Sequence, residues 1–386
     1  MNRREFISTC GAASVAVALP SVAGAQQAAG RYNNLLILVE LKGGNDGLNT
    51  VVPYADAGYY SVRPRLAVAR DQVLQLDTRT GLHPSLAPLL PLWQARELAV
   101  VQGVGYPQAN LSHFRSIEIW DTASKSSEYL ADGWLARAFA GAPVPRNFAA
   151  DGVIVGGNEM GPLAGTGTRA IALANPDQFL KQARLAAPAG VSGNAALSHI
   201  LKVEQDIVQA ASGLSAGYAF RTDFPQGAFG NAVRAAMQVV ASRAPVAAIR
   251  VTLNGFDTHA NQMATQQRLL KELAEGMAAL KGALVELERW NSTLVMTYAE
   301  FGRRPRENQS GGTDHGTANA HFVAGGRVKG GLYGAPPALD RLDGNGNLPF
   351  AVDFRDLYAT VLERWWSVSS QAALNGRYAP LELVRA

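Results

Sequence analysis

The chain has 386 residues, 47% of them apolar, with 35 Lys and Arg against 31 Asp and Glu and a formal net charge of +4. So mild a balance, with no Lys/Arg runs, argues against nucleic-acid binding, and the length allows a sizeable core in one elaborated domain or two. The single cysteine, Cys10, excludes a disulfide framework and Cys-ligated zinc, so any metal must sit on His, Asp, Glu and other oxygen donors.

The chain opens on Met1-Asn2-Arg3-Arg4-Glu5-Phe6-Ile7-Ser8. An uncharged, Ala- and Val-rich stretch follows from Cys10 to about Ala25 and ends in Ala23-Gly24-Ala25, a small-x-small cleavage pattern. The stretch is too short and too rich in Ala, Ser and Gly for a stable transmembrane helix. Residues 1–25 are therefore expected to be a signal peptide. The paired arginines favour the twin-arginine route over an ordinary Sec signal, which makes the translocon a partner during export and the periplasm the destination. Cys10 precedes most of the apolar run, unlike a lipoprotein cysteine. Residues 26–386 are expected to form a single soluble α/β domain without a stable membrane anchor.

Short apolar runs then recur, each flanked by glycine or by helical pattern: Leu35 to Leu41, Leu98 to Val104, Gly152 to Val155, Ala248 to Leu253, Thr293 to Tyr298 and Phe322 to Ala324. Runs that are nearly all apolar suit strands buried on both faces. The clearest helix is expected over Gln266 to Trp290, where Leu269, Leu270, Leu273, Met277, Leu280 and Leu284 keep helical spacing. Residues from about 175 to 244 are Ala-rich and poor in strand signals, which suggests a helical insertion or cap. Asp353 opens a closing helix as its N-cap. Strands alternating with helices predict a mostly parallel sheet sandwiched by helices.

Ligands of parallel α/β sheets bind at the carboxyl ends of the strands, so the residues that follow each strand carry the functional information. Asp46 follows the first strand, Ser112 and His113 the second, Asp257 and His259 the fourth, and Glu300 the fifth, with Asp314 and His315 in a Gly-rich loop beyond it. Each alone has an ordinary reading: a turn aspartate at Asp46, a helix N-cap at Ser112, a hydrogen-bonded loop pair at Asp257 and His259, a solvated turn at Asp314-His315. Four of the six histidines (His113, His259, His315, His321) sit in or just beyond these loops. Their joint fall at one sheet edge is what a metal site with oxygen and nitrogen ligands requires.

The motifs Gly43-Gly44-Asn45-Asp46-Gly47-Leu48-Asn49, Ser112-His113-Phe114-Arg115-Ser116, Gly255-Phe256-Asp257-Thr258-His259, Glu300-Phe301-Gly302-Arg303-Arg304 and Thr313-Asp314-His315-Gly316 resemble the exported family labelled domain of unknown function 1501. That family is similar to the alkaline phosphatase/sulfatase superfamily. The resemblance implies an alkaline-phosphatase-like fold and one or two divalent ions, zinc, manganese or calcium. One ion would be held by Asp257, His259 and His315. A second would lie at Asp46, Glu300 and Ser112, where Phe301 replaces the usual histidine and His113 or Asp314 is available to compensate. It further implies Ser112 as nucleophile and Arg115 as a charge-stabilising group acting on a small phosphate, sulfate or phosphonate ester. A binding or assembly protein that keeps the fold without turnover is the alternative, and Phe301 favours it. No cysteine cluster, haem motif or dinucleotide fingerprint supports a redox role.

Overall fold

The computed structural model describes residues 30–173, 217–242 and 245–385. The expected signal lies outside them, as does most of the expected insertion. A nine-stranded sheet organises the rest. Its strands are β1 (Leu35–Lys42), β2 (Leu98–Gly105), β3 (Ala150–Val155), β4 (Ala170–Leu173), β5 (Val246–Asn254), β6 (Thr293–Tyr298), β9 (Asn319–Ala324), β10 (Gly331–Gly334) and β11 (Val352–Asp353). Between β6 and β9 an antiparallel hairpin is formed by β7 (Gly302–Glu307) and β8 (Thr313–Gly316). Across the sheet the order is β10-β2-β9-β6-β1-β5-β3-β4, with β11 also paired to β2.

Every pairing in this sheet is parallel except those of β9, which runs antiparallel to both of its neighbours, β2 and β6. The mostly parallel sheet read from the sequence is therefore present. The strand over residues 322–324 is longer than expected and points the other way.

Both faces of the sheet are covered, and β1 shows why its sequence is nearly all apolar. Leu35, Ile37, Val39 and Leu41 pack into one core, while Leu36 and Leu38 pack into the other. The first core is closed by α3 (Ala228–Ala241) and α4 (Gln262–Glu286), through Phe229, Val233, Leu270, Leu273 and Leu280. The second is closed by α1 (His113–Thr122), α2 (Trp134–Gly141) and α5 (Phe354–Ala359), through Trp120, Trp134, Leu357 and Tyr358. Thus the described end of the Ala-rich region, α3, is a helix of the covering layer.

Helix α4 lies one turn earlier than its apolar spacing suggested. It starts after Asn261, held in the left-handed conformation, and ends before Glu288, which is left-handed too. Asp353 caps α5 as expected, accepting from Arg355 N at 3.0 Å.

Because β1, β2, β5 and β6 share a direction, their carboxyl ends fall along one edge of the sheet. The loops that follow them meet there. Gly43, at φ +116°, and Gly44, at φ +77°, take left-handed conformations that favour glycine. A Cβ on Gly43 would strike the backbone of Phe256 and Asp257, and one on Gly44 would strike the Phe301 ring.

Candidate metal centre at the strand ends

Three imidazoles and one carboxylate converge at this edge. The donor atoms of His113, Asp257 and His315 all lie within 4.8 Å of one another. His259 joins them, its Nε2 standing 2.9 Å from His315 Nε2 and 3.1 Å from Asp257 Oδ1. Asp257 also lies 3.3 Å from His113 Nε2 through Oδ2, and 3.3 Å from His315 Nε2 through Oδ1. Donors about 2.0–2.1 Å from an ion stand roughly 3.3 Å apart in a tetrahedral shell. The separations among His259, His315 and Asp257, and from Asp257 to His113, are near that spacing.

The far sides of the rings are held as metal ligands usually are. His113 Nδ1 meets Glu300 Oε1 at 2.8 Å, and the same oxygen accepts from Gly43 N at 2.9 Å. His315 Nδ1 faces the Leu111 carbonyl at 2.7 Å, so Nδ1 carries the proton and Nε2 keeps its lone pair. His259 Nδ1 lies 3.6 Å from Asp314 Oδ1, and Asn308 Nδ2 ties that oxygen to the His259 carbonyl. All three histidines thus turn Nε2 toward Asp257. Phe301 packs its ring against His113 and His315, with centroids 4.9 and 4.5 Å away, and forms an apolar wall behind them.

Charge at the centre is set by Arg303, whose guanidinium is fully buried. It donates to the carbonyls of Gly43, Gly44, Phe256 and Thr313 and to Asp257 Oδ1 at 2.7 Å, pinning the strand-end loops together. Partial burial works to raise the Asp257 pKa, but Arg303 and His315 outweigh it and hold the carboxyl down to about 2. The hydrogen bond to Glu300 raises the pKa of His113, whereas burial lowers that of His315.

Asp46, expected as a ligand, is not available as one. Its Oδ2 accepts from Arg63 Nη1 and from Gln262 Nε2, both at 2.5 Å, and its Oδ1 caps the short helix Gly47–Thr50 through Leu48 N at 3.1 Å. The side chains of Arg63 and Asp46 are 0% and 1% exposed. The positive charge beside Asp46 is a guanidinium.

Arg115 is also spent elsewhere. It donates to the carbonyls of Lys125, Ser126 and Glu128, pairs with Glu118 at 3.0 Å, and lies over the Tyr129 ring. Ser112 sits at the N-cap position of α1, exposed, with no side-chain cap bond and, among the described residues, no imidazole on its hydroxyl. Glu300 and Asp314 hold His113 and His259 from behind. His321 is buried in β9 against Trp120, apart from the centre, and burial drives its pKa down to about 3. Arg63, Arg303 and Gln262 were missed by sequence reasoning, because nothing in their local pattern marks them as buried.

A cleft of about 750 Å³ opens beside the centre. His113, Asp257 and Glu300 line one part of it, while Lys42, Asp121 and Glu159 line another. Ile117 and Leu130 supply apolar wall. Asp121 Oδ1 is shut off from solvent without a partner among the described residues, and burial pushes the carboxyl up to about 8. Asp121 is therefore protonated at neutral pH and can donate a hydrogen bond.

The fold and the centre define a class: a mostly parallel α/β protein with an imidazole–carboxylate cluster where its strands end. More particularly, the chain belongs to the family described as protein of unknown function (DUF1501), which it matches over residues 68–375. No curated protein matches the sequence. Solved structures similar to it include a protein in the alkaline phosphatase superfamily from Vibrio parahaemolyticus, at 11% identity and TM-score 0.41, covering 89% of this chain and 69% of that one. Another is the PsFucS1 sulfatase from Pseudoalteromonas sp., at 10% identity and TM-score 0.39, covering 94% and 75%. A third is the alkaline phosphatase of the Antarctic bacterium TAB5, at 13% identity and TM-score 0.33, covering 78% and 94%.

Proposed function

We infer that this protein is a metal-dependent hydrolase of phosphate or sulfate esters that works in the periplasm after twin-arginine export. The observation that carries the reading is the common aim of the three Nε2 atoms of His113, His259 and His315 at Asp257, each ring backed on its Nδ1 side. Three imidazoles and one carboxylate suit zinc or manganese; calcium, which takes oxygen ligands, fits poorly. When bound, such an ion supplies Lewis acidity toward a phosphoryl or sulfuryl oxygen.

The chain's own residues do the rest. Glu300 holds the His113 proton on Nδ1 and keeps its Nε2 free to ligate. Arg303 keeps Asp257 ionised and leaves Oδ2 as the oxygen directed at His113. The cleft receives the alcohol portion of the ester, where the carboxylic acid of Asp121 can donate a hydrogen bond.

One pair of observations favours a second reading, that of a binding protein without turnover. Arg63 occupies Asp46, and among the described residues the Ser112 hydroxyl is hydrogen-bonded to no base. Metal analysis of the protein purified without chelators, with a panel of aryl phosphate and sulfate esters, decides between them. One equivalent of zinc or manganese together with turnover that chelation abolishes supports the hydrolase. Bound metal without turnover on the whole panel supports the binding protein, and absence of metal removes the hydrolase.

A further inference from the structure

The cleft beside the metal centre has an end of different chemistry. Lys42 closes β1 and, among the described residues, is the one lysine or arginine of the lining. Most acids of the lining have partners elsewhere: Glu118 pairs with Arg115, Asp257 with Arg303 and Glu300 with His113. Lys42 Nζ instead meets Glu159 Oε2, at 2.7 Å, and that hydrogen bond holds the Glu159 carboxyl below its ordinary range. The two side chains are 39% and 63% exposed, and an ion pair so open to water is weakly held.

Two further groups lie at this end. Arg250 is buried and donates to the Glu159 carbonyl at 2.6 Å, to Glu40 Oε2 at 2.6 Å and to the Tyr298 hydroxyl at 2.7 Å. The neutral carboxylic acid of Asp121 has an oxygen, Oδ1, without a partner among the described residues. Gly161, which lines the cleft, leaves both uncovered. A Cβ there would lie 3.1 Å from Arg250 Cζ and 3.2 Å from Asp121 Oδ1.

We propose that this end of the cleft binds a carboxylate, with Lys42 as its cation and Glu159 as the group it displaces. The Glu159 carboxylate already takes that place from the protein's side. A ligand carboxylate that replaces it can accept from Lys42 and from the acid of Asp121, and hydrogen bonds from such donors to an ionised acceptor are strong ones. Ile117, Leu130, Ala131 and Ala164 line the same cleft and suit an apolar ring next to the carboxylate. Resting on the hydrolase reading, the alcohol portion of the ester then bears an acid group of its own.

Calorimetry on the mature protein with benzoate and with benzamide, a neutral compound of the same shape, tests the proposal. Benzoate should saturate one site and bind at least about tenfold more tightly than benzamide. Lys42→Gln should erase that preference. Glu159→Gln should tighten benzoate about two- to fivefold by removing the competing carboxylate, and the double variant should show no such gain. The preference should survive chelation, which separates this site from the metal centre. Equal affinity for the two compounds, a preference that persists in Lys42→Gln or is lost on chelation, no gain in Glu159→Gln, or no saturable binding would each overturn the proposal. In turnover, 4-carboxyphenyl phosphate should have a lower KM than phenyl phosphate in wild type but not in Lys42→Gln; equal values in wild type would overturn the placing of the acid group on the alcohol portion. Benzoate binding as expected without turnover of either ester would remove the hydrolase and keep the carboxylate site.

Discussion

Asp46 offers the sharpest test of how the strand-end loops are built. If the carboxylate is a structural anchor, replacing it should cost stability and leave metal content alone. Asp46→Ala removes the N-cap of Gly47–Thr50, a loss of about 1 kcal/mol. It also leaves the fully buried Arg63 without its counter-charge, and breaking a buried pair costs about 3–5 kcal/mol. Arg63 keeps three other acceptors, namely Asn49 Oδ1 at 2.7 Å, the Pro305 carbonyl at 2.7 Å and the Arg304 carbonyl at 3.1 Å. The lower end of that range is therefore expected, giving about 4 kcal/mol for Ala. Asn can still cap the helix, so Asp46→Asn should cost about 3 kcal/mol. Urea unfolding of the two variants, with metal measured on the same samples, reads both quantities. Loss of metal from Asp46→Asn with no loss of stability beyond that which chelation causes in wild type would refute the anchor and restore Asp46 as a ligand.

Other expectations follow from the same geometry. His315→Ala should remove the ion and, with it, the part of the unfolding temperature that chelation removes from wild type; retention of a full equivalent of metal counts against the centre. Glu300→Gln should weaken metal affinity about 10- to 100-fold by loosening His113, and an unchanged affinity in competition with a chromogenic chelator would show that Glu300 plays no such part. For Asp121, burial raises the carboxyl pKa in the folded state above its unfolded value, to about 8. The folded protein then holds a proton that the unfolded chain has released, so wild type loses stability as pH rises from about 4 to 8, by at most about 1.4 kcal/mol per unit. Asp121→Asn should escape that loss, and parallel stability profiles for the two proteins would contradict it. Arg3→Lys with Arg4→Lys should leave the precursor in the cytoplasm, whereas normal periplasmic levels of the double variant argue for another export route.

The sheet was legible because strands buried on both faces carry mostly apolar residues, as β1 and β6 do. The direction of β9 was not legible, since an apolar run looks the same read either way. At the centre, Asp257 and His259 could be found because they follow a strand that ends at the shared edge, whereas His315, expected in a loop, lies inside β8 of the hairpin. The roles of Glu300 and His113 depend on which ring nitrogen meets which oxygen, and spacing carries no such information. Asp46 misled for a related reason. Its partners come from residues 63 and 262, and an arginine or glutamine that is to be buried looks in sequence like one on the surface. Cationic side chains thus hold two of the aspartates that the sequence offered as ligands, Arg63 on Asp46 and Arg303 on Asp257.

The reversed strand β9 has a consequence for how the molecule is made. It stands between β2 and β6, and those two strands have no other link to each other in the sheet. Until residue 324 has been synthesised, the half-sheet β6-β1-β5-β3-β4 and the segment containing β2 each present an open hydrogen-bonding border. Such borders invite pairing with other chains. Closure also joins segments some 220 positions apart in the chain, Val100 to Phe322, and contacts of that span make folding slow. The sheet is sealed late, by a strand from the last fifth of the chain. A chain cut before Asn319 should accumulate as aggregate even though every residue of β1 to β6 is present.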